Sequence, residues 1–100
     1  MYESLKQFLG AYFHQDWVED AGDDNADTVI QHFALDASRA DIEQVAQELS
    51  GLLENSTDIE LSVFVVDSGC WYEPSADGLK TRAWLKRVHS ELSSYLRGLA

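Results

Sequence analysis

Asp23, Asn25 and Asp27 alternate as the oxygen donors at the start of a calcium loop do. However, Thr28 stands where the sharp turn needs glycine, and Ala34 where a bidentate glutamate would complete the coordination. His14 and Asp16 make a second close pair, the combination that fixes an imidazole tautomer in metal and acid–base sites. At the end of a helix the simpler role for that pair is a structural hydrogen bond. A single cysteine, Cys70, cannot form an intrachain disulfide or a thiolate metal cage. With His32 and His89 elsewhere in the chain, its surroundings do not read as those of a nucleophile. A glycine-rich phosphate loop and the H-E-x-x-H pattern are both missing. The sequence is therefore expected to have no catalytic residues, no metal and no cofactor.

The densest polar feature is a run of acids. Asp16, Glu19, Asp20, Asp23, Asp24 and Asp27 place six carboxylates within twelve residues with no intervening base. The whole chain has 18 acidic and 7 basic residues, a formal charge of −11. Residues 1–50 carry 11 acids and 2 bases, net −9, and residues 51–100 carry 7 acids and 5 bases, net −2. A field of that size serves solubility, and it also draws basic proteins and speeds their association. It excludes direct binding to nucleic acid, where phosphates need a basic face. Glu19, Asp20, Asp23, Asp24 and Asp27 are the candidate contacts for a basic protein partner, and Trp71, Tyr72 and Glu73 form a second candidate patch.

Periodicity supplies the elements that must position these residues. Tyr2, Leu5, Phe8, Leu9 and Tyr12 recur at helical steps, predicting a helix over 2–13 with Gly10 as its weak point. Residues 18–25 read as an exposed acidic loop. A second helix is predicted at 26–36, and a third at 39–54, where Ile42, Val45, Ala46, Leu49, Leu52 and Leu53 share one face. Thr57 and Glu60 resemble a capping box for residues 58–66. The Val63–Val66 run within that segment suits either a buried strand or a helix. Helix is preferred because no second strand-like run exists to pair with it. Residues 68–78 read as a loop, and the last helix as 79–96, with Trp84 buried against the helix at 39–54. The expected fold is all-α, a single compact domain of four or five helices over residues 1–100. No apolar run reaches the length of a bilayer span, and Met1–Lys6 lacks the pattern of a signal peptide, which points to a cytoplasmic protein without membrane contact.

Asp67-Ser68 resembles the attachment dipeptide of acyl and peptidyl carrier proteins. That serine should open a helix, whereas here Gly69-Cys70-Trp71 makes a turn. The string Tyr12-Phe13-His14-Gln15-Asp16-Trp17 resembles the N-terminal motif of a family of contact-dependent growth inhibition immunity proteins. Gly69, Tyr72, Pro74, Gly78, Trp84 and Leu85 are similar to that family's second pattern, extending the resemblance over residues 2–96. Segment 59–66 is more β-branched than the family leads one to expect. The resemblance implies a small bacterial protein that binds and neutralises the C-terminal toxin domain delivered by a neighbouring cell. Toxins of such systems are commonly nucleases with basic surfaces, which an acidic inhibitor can cover. In this reading Tyr12, Phe13, His14, Asp16, Trp17 and Trp84 are structural. The alternative to a dedicated inhibitor is a general acidic adaptor, which would lose most of its affinity once salt screens its charge.

Overall fold

Three hydrophobic stripes at helical spacing and three side-chain-capped helix starts shape the computed structural model, which describes residues 2–98. Its elements are α1 (Glu3–Tyr12), α2 (Trp17–Ala21), α3 (Ala26–Asp36), α4 (Arg39–Asn55), α5 (Asp58–Asp67), a 3-10 turn (Pro74–Asp77) and α6 (Thr81–Gly98). No strand occurs among the described residues, and none of their helices is long and apolar enough to cross a membrane. Met1, Leu99 and Ala100, at the ends of the expected domain, lie outside the described residues.

The starts of α3, α4 and α5 are set by local side chains. Asn25 accepts from the Asp27 amide at 2.9 Å, and Ser38 accepts from the Asp41 amide at 3.2 Å. At α5 the full capping box forms: Thr57 accepts from the Glu60 amide, and Glu60 accepts from the Thr57 amide at 2.8 Å. Two amides satisfied in this way settle the β-branched Val63–Val66 run as helix, against its local strand preference. α1 has no side-chain cap of its own, so its free Leu5 amide donates to Glu48 of α4 at 3.0 Å.

α4 and α6 are the central pair. α1 packs on α4, while α3 and α5 pack on α6. Ile42, Val45, Ala46, Leu49 and Leu52 from α4 meet a core that receives Trp84, Leu85, Val88 and Leu92 from α6. Arg82 joins the two ends of the α4–α5 connection, donating to the Leu53 and Ser56 carbonyls at 2.9 and 2.6 Å and to Asp58 at 2.6 Å.

The helix count differs from expectation, with six α-helices among the described residues where four or five were predicted. The extra one is α2, in a stretch read from its acids as loop. Buried Trp17 anchors its first residue, and Gly22, at φ 84°, closes it in the left-handed conformation that glycine tolerates. The predicted 68–78 loop contains the 3-10 turn, and α6 begins at Thr81 instead of residue 79. Gly10 is a close-approach position. A Cβ there would lie 2.6 Å from the Ser68 carbonyl oxygen, so its missing side chain lets α1 touch the end of α5.

Candidate functional site

The hexapeptide at the end of α1 places its aromatic rings inward. Phe13 is fully buried, Trp17 is buried and Tyr12 is half-buried against Phe8 and Phe33. Phe13 stacks edge-on against Trp84 at 5.3 Å, and Tyr72 lies 5.8 Å from Phe13, 5.7 Å from Trp17 and 4.8 Å from Trp84. Four aromatic rings, from the residue that closes α1, from α2, from the 68–78 segment and from α6, thus form one cluster. The ring contacts of Trp84 run to Phe13 and Tyr72, although its helix packs chiefly on α4. Burial together with Asp36 raises the Tyr12 hydroxyl pKa.

His14 fastens this aromatic end to the acidic stretch. Its Nδ1 accepts from the Asp16 amide at 3.1 Å, so the ring proton sits on Nε2, which donates to Asp20 Oδ2 at 2.6 Å. Asp20, a candidate partner contact, therefore has an intramolecular partner already. Asp23 is also engaged. Its two carboxylate oxygens accept from the Asn25 amide at 2.9 Å and the Thr28 hydroxyl at 3.1 Å, an arrangement that turns the chain into α3 and does not gather ligands around a cation. Asp27 is half-buried and paired with Arg87 of α6. Glu19, Asp24 and Asp16 extend exposed side chains from the same stretch.

Beside Asp27 and Arg87 stands Glu91, 3.8 Å from the Arg87 guanidinium and 29% exposed. Burial and then the neighbouring Asp27 carboxylate push the Glu91 carboxyl up to about 7, with Arg87 opposing. The same Asp27 carboxylate raises the Arg87 pKa.

The second candidate patch divides. Trp71 is 61% exposed and Glu73 is also exposed, but Tyr72 is buried and donates its hydroxyl to Asp77 at 2.7 Å. Burial and that bond raise the Tyr72 pKa. Its ring belongs to the core, while Trp71 and Glu73 beside it face solvent. Cys70 is buried as well, its thiol pushed up to about 11 by desolvation, which leaves it protonated and inert. Ser68 closes α5 and donates to the Phe64 carbonyl at 2.7 Å, unlike a carrier-protein serine at a helix start.

The two patches adjoin. Asp24, Asn25, Asp27, Asp77 and Arg87 line a cleft of about 380 Å³, and Trp71, Glu73, Lys80 and Arg82 line another of about 800 Å³. Tyr72 and Leu79 contribute to both, standing between them. Sequence reasoning missed Asp77 and the exposure of Ile59, Val63 and Val66 on α5. The signal for the second was present: placed on a helix, Ile59–Val66 is apolar on both faces, and one core covers only one of them.

A family model described as CdiI immunity protein matches residues 1–92. No curated protein and no solved structure matches the chain.

Proposed function

We propose, from the premise that the chain belongs to the CdiI immunity protein family, that it protects its cell by binding one cognate toxin domain. The observation that carries this reading is the match over residues 1–92, which takes in the aromatic cluster, the acidic stretch and every helix start. Immunity of this kind needs occupancy and no catalytic step.

The charge supports a finer reading, in which the toxin is a basic nuclease acting in the cytoplasm. A nuclease holds phosphates with a basic surface, and a chain of net charge −11 with its acids concentrated in the first half complements such a surface. Within the candidate contacts, Glu19, Asp24, Trp71 and Glu73 are exposed and their side chains hold none of the hydrogen bonds described above, whereas Asp20, Asp23 and Asp27 have dual duty. Glu19 and Asp24 steer the encounter in this reading, and Trp71 provides contact area.

The deciding experiment takes any large exoprotein encoded beside this chain's gene and expresses its C-terminal domain, with and without the chain. Rescue of growth is the expected result, and continued toxicity in its presence removes the immunity reading. The steering role has its own test in the double variant Glu19→Gln with Asp24→Asn, which removes two charges and none of the bonds described above. Association with the toxin domain should slow about 3- to 10-fold at low salt and converge with wild type as salt rises. Equal rates at low salt would make these acids a solubilising surface. A general adaptor would lose most of its affinity for every basic protein at high salt, while a dedicated inhibitor retains its one toxin.

A further inference from the structure

Ile59, Val63 and Val66 are 78%, 52% and 70% exposed, and their spacing puts them on one face of α5, opposite the buried Leu61 and Val65. Trp71, 61% exposed, follows directly, and it lines the larger cleft together with Val66. Val18 and Leu35, the other large exposed hydrophobics among the described residues, belong to α2 and α3. The α5 face is thus a continuous apolar stripe, of the kind that marks a surface built to be covered.

What covers it is indicated by its rim. Asp58, Glu60, Asp67 and Glu73 are interleaved with the stripe and all are exposed. Asp58 is held by Arg82, and Glu60 is occupied in the capping box, which lowers the pKa of both carboxyls, so each is ionised. Lys80 and Arg82 stand in the same cleft as Trp71, and Asp58 offsets Arg82. A second copy of this chain would set acidic rim against acidic rim and join two bodies of charge −11. We propose that Ile59, Val63, Val66 and Trp71 form the desolvated centre of the toxin interface and receive an apolar patch on the toxin domain that is ringed by basic side chains. This rests on the immunity reading and adds a location to it: the acidic stretch steers, and the α5 stripe holds.

Two sets of variants test it, with the neighbouring exoprotein's C-terminal domain as the probe and wild type as the reference. Ile59→Gln, Val63→Gln and Val66→Gln together keep helix propensity and remove the apolar stripe. At a salt concentration that screens surface charge, this triple variant should bind about 100-fold more weakly than wild type, with an unchanged melting temperature. Binding within about 3-fold of wild type overturns the stripe as the interface centre while leaving immunity intact. If wild type itself neither binds nor protects, the immunity reading fails and the stripe proposal falls with it. The single variants Val63→Lys and Val63→Glu, each one exposed side chain, test the rim without the triple change. A basic ring on the toxin makes Lys at least about 10-fold worse than Glu, and equal loss or the reverse order overturns that chemistry. Sedimentation of free wild type as a dimer that the triple variant dissolves would assign the stripe to self-association and overturn the proposal.

Discussion

Trp84 shows what one side chain does for this fold. Its indole is 1% exposed and is the meeting point of Phe13 from the α1 end and Tyr72 from the 68–78 segment. Trp84→Ala opens a cavity that those two rings cannot both fill, and it should cost about 3–5 kcal/mol in chemical denaturation. An unchanged midpoint would place the ring outside the core. Tyr72 is the residue whose burial the sequence reading did not anticipate. Flanked by Trp71 and Glu73 in a polar segment, it gives no sign of its burial, because the rings that cover it come from Phe13, Trp17 and Trp84, distant in sequence. Phe13, Trp17 and Trp84 themselves were legible as core, being aromatic residues at the ends or on the stripes of apolar helical patterns.

Element by element, legibility follows the strength of the local signal. α3 and α4 appear where caps and periodicity coincide, at Asn25 with Val29, Ile30 and Phe33, and at Ser38 with the Ile42–Leu53 face. α2 was hidden because a one-turn helix has no period to read, and its single anchor, Trp17, precedes a run of acids that by composition marks a loop. The candidate site was legible only as charge. That Asp20 pairs with His14 and Asp23 with Thr28 depends on the turns between α1, α2 and α3, and that Asp27 pairs with Arg87 depends on how α3 meets α6. Gly10 was read as a helix weakness when its role is contact between elements. Gly10→Ala raises local helix propensity, yet its methyl meets the Ser68 carbonyl oxygen at 2.6 Å, so the variant should be less stable by about 1–3 kcal/mol. Thermal denaturation gives the sign: a gain in melting temperature would mean that the α1–α5 approach is loose.

For the molecule as a whole, the coupling of Asp27, Arg87 and Glu91 ties α3 to α6 and makes stability depend on pH. The Glu91 pKa rises from 4.5 in the unfolded chain to about 7 in the folded one, so the folded state binds the extra proton. Its contribution is complete below 4.5, declines as pH rises and is gone above about 7. Glu91→Gln keeps the shape without the titration. It should match wild type in acid and exceed it by roughly 1 kcal/mol above neutrality, the shift being discounted for the solvent that reaches a partly exposed carboxyl. Parallel stability curves for the two proteins across that range would show that the carboxyl titrates as it does in the unfolded chain. The central α4–α6 pair governs how the chain is made as well as how it stands. α1 packs on α4 early in the chain, but the rest of the core reached by Ile42, Val45 and Leu49 is completed only by Trp84, Leu85, Val88 and Leu92 of the last helix. A message cut short before the codon for Leu92 should therefore encode no partial protector, because the chain lacks the helix that closes its core.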